Sequence, residues 1–262
     1  MLWCMSRRWF LRLLGGSVLT SACAAPALSR RPAAGSRKPA RVRAVAFDIF
    51  TLFDPRCVDR RVIDVMGDAA LAGAWKTCLF EYCWIRAVSG EYADFDRLVH
   101  DSLRHVARAR GVSLTSALEA ELARVFVELD PWPDAVPALE RFRQRGLALA
   151  PLANFSPPMI EALLARARMR DLFSAVISTD LARTYKPDPR AYALGEVVLG
   201  SPRSEIAFAA FGGWDAAGGR WFGYPTFWVN RLGVAPEVLV DADASGADLG
   251  ALEAWIDRFG QL

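Results

Sequence analysis

The sequence predicts an α/β fold, a doubly wound parallel sheet with a helical cap domain inserted after the first strand. Short apolar runs alternate with helical segments along the second half of the chain, which is typical of parallel strands joined by crossover helices. The segment between the first two apolar runs is helical in pattern and too long for a single crossover. The predicted core therefore spans residues 43–55 and 133–262, and the predicted cap spans residues 56–132.

A charged start precedes a short apolar run at the N-terminus. Residues 6–11 read Ser-Arg-Arg-Trp-Phe-Leu and resemble a twin-arginine (Tat) signal, and the apolar run 13–19 is too short to span a bilayer. Residues 1–25 therefore predict a signal peptide, the Tat translocation machinery as a partner, and a periplasmic location. Cleavage after the small residues that end the signal is favoured, and a lipid anchor on Cys23 is the alternative. Residues 26–42 predict a flexible tether.

Five apolar runs predict the strands of the sheet. They are residues 44–47, 147–152, 175–178, 206–209 and 226–229. Within the predicted cap, apolar residues recur at three- or four-residue spacing from Trp75 to Ile85, which indicates a helix with one apolar face. Another helix is expected to begin after Pro133-Asp134. We also expect Ser156 to cap a helix that starts at Pro157.

Polar side chains follow four of the predicted strands. Asp48, Asn154, Lys186 and Asp215 each come after a different strand. In open parallel sheets the ligand site lies at the carboxyl ends of the strands, so these groups are expected to converge. A carboxylate nucleophile, with a lysine that keeps the acids ionised and ordered, suits nucleophilic catalysis. Two simpler roles stay open, since Asp215 can cap the helix after it and Asn154 can serve as a turn residue.

Composition and charge exclude several classes of function. The net charge is +3, and much of the basic excess lies near the N-terminus, so the body of the chain has no electrostatic footprint for nucleic acid. The two histidines and the cysteines of the body, Cys57, Cys78 and Cys83, lack the spacing of a metal site. We therefore expect neither a metal nor another cofactor.

Five segments resemble the haloacid dehalogenase (HAD) superfamily, and within it the type II (S)-2-haloacid dehalogenases. They are FDIFTLFD at 47–54, WKTCLFEYCWIR at 75–86, ANFSP at 153–157, YKPDPRAY at 185–192, and AFGGWD at 210–215 with FGYP at 222–225. The resemblance covers residues 43–262. Together the segments are highly specific for the family, although none would be on its own.

The resemblance implies a HAD-like Rossmannoid core and a metal-independent reaction. Asp48 would displace halide from the α-carbon of a small 2-haloalkanoic acid with inversion, and water would hydrolyse the aspartyl ester to give a 2-hydroxy acid. The catalytic residues implied are Asp48, Thr51, Lys186 and Asp215. The implied substrate-binding residues are Lys76, Asn154, Tyr192 and Trp214. The partner is thus a small carboxylate, and a homodimer is left open.

The sequence departs from the family pattern at several polar positions. A glycine is missing between Asp48 and Thr51, so either the loop is remodelled or Leu52 takes the place of the threonine. Lysine replaces the cap arginine at Lys76, and the exchange loses a planar donor fork. Serine and asparagine positions are occupied by Ala153, Ala210 and Gly212. The alternative is therefore a degenerate member that binds a small carboxylate without turnover.

A phosphatase of the same superfamily is the least favoured function. Such enzymes place aspartates two residues after the nucleophile and early in the last motif, and the corresponding residues here are Phe50 and Phe211. A phosphoryl substrate brings negative charge that Mg²⁺ normally offsets. Without those ligands, phosphoryl transfer is not expected.

Overall fold

The computed structural model describes residues 41–259. The predicted signal peptide, Cys23 and nearly all of the predicted tether lie outside these residues. No helix within 41–259 combines the length and apolar character needed to cross a bilayer.

Six parallel strands form one sheet in the order β3-β2-β1-β4-β5-β6. Their bounds are β1 Ala44–Phe47, β2 Ala148–Ala153, β3 Ile177–Ser178, β4 Ile206–Ala210, β5 Thr226–Val229 and β6 Ala244–Gly246. Every residue of the central strand β1 is buried, as expected for a parallel strand covered on both faces. The predicted doubly wound α/β fold is confirmed.

The register of the sheet brings the carboxyl ends of the central strands level with one another. Phe47 lies opposite Pro151 of β2 and Ala209 of β4, and the amide of Asp48 donates a 2.9 Å hydrogen bond to the carbonyl of Ala209. The residues after β1, β2 and β4 therefore face a single crevice, where ligands of open α/β sheets bind.

Helices cover both faces of the sheet. Their bounds are α6 Ala135–Gln144, α7 Pro157–Arg166, α8 Pro189–Leu199, α9 Gly213–Phe222 and α10 Leu249–Phe259. Val45 and Phe47 pack with α6, α7 and α10, whereas Ala44 and Ala46 pack with α8 and α9. The alternating side chains of β1 thus contribute to two separate apolar cores.

Four helices and one 3₁₀ turn lie between the single turn α1 Ile49–Leu52 and α6, which leads into β2. They are α2 Arg56–Met66, α3 Ala69–Ser89, α4 Phe95–Ala109, α5 Ser116–Ala123 and the 3₁₀ turn Arg124–Val127. The outgoing and returning chain pair in an antiparallel bridge between Phe53 and Pro131. This bridge lies at the limits predicted for the cap, and the domain boundaries themselves stay a prediction.

Two details of the helices differ from expectation. Ser156 occupies the N-cap position of α7, but its side chain makes no capping hydrogen bond, and Pro157 begins the helix. The first turn of α7 thus relies on proline, which has no amide hydrogen to satisfy and already has a helical φ. The second detail concerns Asp215, which lies within α9 rather than at its cap, since the N-cap is Gly212.

Candidate active site

Asp48 lies immediately after β1 and forms the N-cap of α1. Its Oδ1 accepts a 2.9 Å hydrogen bond from the amide of Phe50, and the residue is 8% exposed. A capping carboxylate is stabilised by the helix amides that it accepts from. The sheet therefore fixes the position of this carboxylate, and α1 fixes its orientation.

Lys186 joins the two acids that follow β1 and β4. Its Nζ lies 2.6 Å from Oδ2 of Asp48 and 2.7 Å from Oδ2 of Asp215. All three side chains are buried, and Lys186 is only 1% exposed. The Lys186 amide also donates to Oδ1 of Asn154 at 2.9 Å. The structure thus brings together the four polar residues that were expected to converge.

Burial and charge act in opposite directions on this cluster. Burial raises the pKa of Asp215 to about 6, against the lowering effect of Lys186, and the charge of Asp48 raises it further. Burial alone would lower the pKa of Lys186, but the carboxylates of Asp215 and Asp48 outweigh it and raise that pKa above its ordinary value. At neutral pH the lysine is therefore a cation held between carboxylates.

Tyr192 completes the environment of Asp215. Its hydroxyl donates a 2.7 Å hydrogen bond to Oδ1 of Asp215, and burial raises the pKa of the phenol well above its ordinary value, so it remains a donor. The ring is fully buried between α8 and α9 and does not lie on the pocket wall. Its predicted substrate-binding role would have to act through Asp215.

The chain after Asp48 forms one helical turn. The Thr51 hydroxyl donates a 2.6 Å hydrogen bond to the main-chain carbonyl of Asp48, not to its carboxylate, and Thr51 does not line the pocket. The carbonyls of Phe50 and Thr51 accept hydrogen bonds from Trp132 and Arg231. In this structure Thr51 shapes the turn that positions Asp48, and a direct catalytic contact stays a prediction.

A cavity of about 200 Å³ opens above Asp48, between the core and the helices after β1. Three of its lining residues are polar, namely Asp48, Lys76 and Asn154. The apolar part of the wall consists of Ile49, Phe50, Pro55, Val58, Leu79, Phe80, Phe95, Phe126, Phe155, Phe211, Trp214 and Leu232. A small, largely apolar molecule would be enclosed there with one end near the carboxylate.

Aromatic rings from several elements pack together to form much of this wall. Phe155 stacks on Phe95 with ring centroids 4.6 Å apart and meets Phe50 edge-on at 5.7 Å. None of these phenylalanines was predicted to be a site residue. Phe50 and Phe155 lie in the FDIFTLFD and ANFSP segments, which offered a signal, whereas Phe95 lies in α4 outside every segment.

Lys76 reaches the pocket from α3, but it is already paired. Its Nζ lies 2.6 Å from the carboxylate of Asp59 on α2, and each of these side chains is about one-third exposed. Sequence analysis did not identify Asp59, because no motif contains it. The predicted substrate-binding cation therefore shares its charge with a neighbouring helix.

Asn154 and Trp214 both lie on the pocket wall. Oδ1 of Asn154 accepts from the Lys186 amide, so the amide group is held in one orientation, and its Nδ2 has no hydrogen-bond partner among residues 41–259. The Trp214 ring packs against Phe80 and Trp84 of α3, with centroids 5.8 and 5.6 Å away. A Cβ atom at Gly212 would lie 2.8 Å from the Trp214 indole nitrogen, which explains why glycine stands there.

The site does not suit the Mg²⁺ ion of the superfamily's phosphatases. The two positions where those enzymes place aspartates carry Phe50 and Phe211, whose rings pack 5.7 Å apart and line the pocket. Two apolar rings supply no oxygen ligands, which magnesium requires. The charged groups that the site offers for chemistry are instead Asp48, Lys186 and Asp215.

Comparisons with known proteins agree with this geometry. A family model described as a haloacid dehalogenase-like hydrolase matches residues 42–223. An (S)-2-haloacid dehalogenase of Pseudomonas sp. (strain YL) is 36% identical over 195 residues, which are 73% of this chain and 84% of that protein.

Solved structures of L-2-haloacid dehalogenases superpose on the chain. One has a TM-score of 0.81 and 37% identity, covering 83% of this chain and 100% of the other. The enzyme of Xanthobacter autotrophicus with chloropropionic acid covalently bound has a TM-score of 0.77 and 30% identity. The match covers 82% of this chain and 98% of that enzyme. With its parallel sheet, the buried carboxylate at the end of β1 and this extent of similarity, the chain belongs to the haloacid dehalogenase-like hydrolase family.

Proposed function

We propose that this protein hydrolyses the carbon–halogen bond of a small 2-haloalkanoic acid through an aspartyl ester on Asp48. The observation that carries the proposal is the position of this carboxylate at the base of an apolar pocket, held by Lys186 and the Phe50 amide. A fixed carboxylate that needs no reorientation is poised to attack carbon. The relative from Xanthobacter autotrophicus, which holds covalently bound chloropropionic acid, supports a covalent route.

The reaction proceeds in two displacements. A carboxylate oxygen of Asp48 bonds to C2 of the substrate, the carbon–halogen bond breaks, and halide leaves with the electron pair, so that C2 is inverted. Water then attacks the carboxyl carbon of the ester, releasing the 2-hydroxy acid and a proton and restoring Asp48. Lys186 lies against the attacking group throughout and limits the cost of charge movement in the buried site.

Chloride release from (S)-2-chloropropionate tests the proposal. We expect release by the purified protein, formation of (R)-lactate, and loss of activity by more than about 10³-fold in Asp48→Asn, because the amide cannot act as the nucleophile. Asp64→Asn, the same change at an exposed position of α2, serves as the control and should retain full activity. Chloride release that survives Asp48→Asn would contradict the mechanism.

An isotope experiment separates this route from direct attack of water on the substrate. In a single turnover in H₂¹⁸O, the first lactate should carry ¹⁶O from Asp48, and ¹⁸O should enter the protein. Direct hydrolysis would instead place ¹⁸O in the product of the first turnover. Mass spectrometry of the product and of the peptide that contains Asp48 distinguishes the two.

A family member that binds a small carboxylate without turnover remains the second candidate. Two observations favour it: Lys76 is paired with Asp59, and Ala153 offers no hydroxyl next to Asn154. The same assay decides between them, because ordinary turnover of any 2-haloacid excludes a non-catalytic role. Binding of propionate without chloride release from 2-haloacids would favour the non-catalytic role.

We also propose export by the Tat route and a periplasmic location. The S-R-R-x-F-L pattern of residues 6–11 supports export. Replacing both Arg7 and Arg8 by lysine should retain the protein in the cytoplasmic fraction. Cys23→Ala distinguishes the two processing alternatives, since only a lipid-anchored protein would move from the membrane to the soluble fraction. Sedimentation of the purified protein tests the homodimer.

A further inference from the structure

Asp59 faces Lys76 across the junction of α2 and α3, at the margin of the pocket. The ammonium lies 2.6 Å from the Asp59 carboxylate, and Lys76 is the only cation on the pocket wall among the residues that the structure describes. Lys186 is not on the pocket wall and is engaged by two acids. A substrate carboxylate entering the pocket therefore meets no unshared positive charge.

The charges around the pocket show what this means for an anion. Two ammonium groups, Lys76 and Lys186, are surrounded by the three carboxylates of Asp48, Asp59 and Asp215. Each ammonium is thus matched by at least one carboxylate, and the rest of the wall is largely apolar. An uncharged molecule avoids the desolvation that a carboxylate undergoes beside cations that are already paired.

We propose that Asp59 is a specificity-determining residue which, by holding Lys76, weakens the binding of carboxylate substrates and leaves the site open to uncharged halogenated analogues. Asp59 touches no reacting atom, so it acts through Lys76 as a positioning residue. Neutral polar recognition remains available, because Asn154 lies on the pocket wall and only its Oδ1 is bonded to the Lys186 amide. The inference rests on the dehalogenation proposed above and specifies which substrates that chemistry accepts.

The uncharged counterpart of the haloacid undergoes the same bond changes. With 2-chloropropionamide, an Asp48 oxygen bonds to C2 and chloride leaves with the electron pair of the carbon–chlorine bond. Water then cleaves the ester at the Asp48 carboxyl carbon, which yields lactamide, a proton and the restored carboxylate. The two substrates are nearly equal in size, so their kinetics differ chiefly through charge.

The test compares (S)-2-chloropropionate with (S)-2-chloropropionamide. Asp59→Asn should raise kcat/KM for the acid about tenfold, mainly through KM, because Lys76 gains a free charge for the substrate carboxylate. The value of kcat/KM for the amide should change less than about twofold. Asp64→Asn, on the same helix and exposed, should alter neither constant. Equal effects of Asp59→Asn on both substrates would overturn the proposal.

A double substitution checks that the effect of Asp59→Asn on kcat/KM depends on Lys76. In a Lys76→Gln background, Asp59→Asn should no longer raise kcat/KM for the acid, since no cation is left to release. An improvement of the same size in that background would show that Asp59 acts by its own charge rather than by holding Lys76.

Failure of the proposed dehalogenation can be recognised separately. If no variant releases chloride from either substrate, the catalytic proposal fails, and calorimetric binding of propionate and propionamide still tests Asp59. Asp59→Asn should then lower the Kd of propionate about tenfold and leave that of propionamide unchanged. An unchanged Kd for propionate would overturn the specificity role.

Discussion

Lys186 carries a single charge that two buried carboxylates share. Such clusters contribute little to stability, because burial of each charge offsets the attraction between them, but they hold side chains in one arrangement. The order is functional here, since the Lys186 ammonium also fixes the orientation of Asp48 under the pocket. Tyr192 extends the same order to the far side of Asp215.

The raised pKa of Asp215 predicts how stability depends on pH. With a folded-state value of about 6 against an ordinary value of 3.8, Asp215 binds its proton more tightly in the folded protein. Its contribution to the free energy of unfolding is therefore greatest below pH 4 and is lost as pH rises through about 6, by roughly 3 kcal/mol in all.

Asp215→Asn should remove the part of the pH dependence of stability that comes from Asp215. Urea unfolding between pH 4 and pH 7 measures the effect. From pH 4 to pH 6 the free energy of unfolding of the variant should rise more steeply with pH than that of the wild type. Above pH 6 the two curves should run parallel. Glu253→Gln, at a surface pair with Arg141, should follow the wild-type curve. Parallel curves for Asp215→Asn and the wild type would contradict the assignment.

At the residue scale, the sequence predicted which polar groups converge but not how they are partnered. Strand ends identified Asp48, Lys186 and Asp215, because parallel topology alone brings them to one edge. The pairing of Lys76 with Asp59 depends on the packing of α2 against α3, which no local pattern contains. The same is true of the Thr51 hydroxyl, whose direction follows from the shortened turn.

At the scale of the elements, prediction succeeded where apolar runs are dense. Residues 44–47 and 226–229 form strands with the predicted limits. The strand β6 was not predicted, because Ala244–Gly246 holds only small residues at the edge of the sheet and lacks the branched or aromatic side chains typical of strands. Its position follows from pairing with β5 rather than from its own sequence.

The close approach of α8 and α9 gives a prediction at this scale. A Cβ atom at Gly218 would collide with the Tyr192 hydroxyl and would lie 3.1 Å from Cβ of Pro187. We expect Gly218→Ala to lower the free energy of unfolding by about 1–3 kcal/mol through overpacking. It should also lower kcat more than KM changes, since Tyr192 would be displaced from Asp215.

Gly73→Ala is the matched control. Gly73 lies in α3, is exposed, and has no atom within 4 Å of an added Cβ. Alanine should therefore leave activity unchanged and stabilise the helix by about 0.5–1 kcal/mol. Chemical denaturation and chloride-release kinetics measure both variants, and equal behaviour of the two would contradict the packing argument.

At the scale of the whole molecule, Arg231 connects the loop after β5 to the start and end of the helical segment that follows β1. Its guanidinium donates to the Thr51 carbonyl at 2.7 and 3.0 Å and to Asp134 at 2.8 Å, and it lies over the Trp132 ring. Trp132 in turn donates to the carbonyl of Phe50. The turn that presents Asp48 is therefore held by residues from two segments that are distant in sequence.

Arg231→Met should disturb this arrangement. We expect a loss of about 2–4 kcal/mol in the free energy of unfolding, since buried acceptors lose their donor, together with reduced kcat. Arg220→Met removes a more exposed arginine that pairs with Asp243 and should cost less than about 1 kcal/mol. Urea denaturation of the two variants checks the difference, and similar losses would count against the proposed linkage.

The pocket could not be predicted at this scale, because its wall is assembled from both parts of the chain. Leu79, Phe80 and Phe95 come from helices after β1, whereas Phe155 and Phe211 follow strands of the core. Helical spacing predicted that Leu79 lies on an apolar helix face, but not which surface that face would meet, and it did not identify Phe80 or Phe95. Only the folded arrangement turns separate apolar faces into one cavity.

The contact between Phe50 and Phe211 also constrains how this protein can evolve. A change of either phenylalanine to aspartate would place a carboxylate against the remaining ring. Burying that charge beside an apolar ring would lower stability and disturb the present pocket. A single step toward a phosphatase would also leave the site with only one of the two aspartates that such enzymes place there.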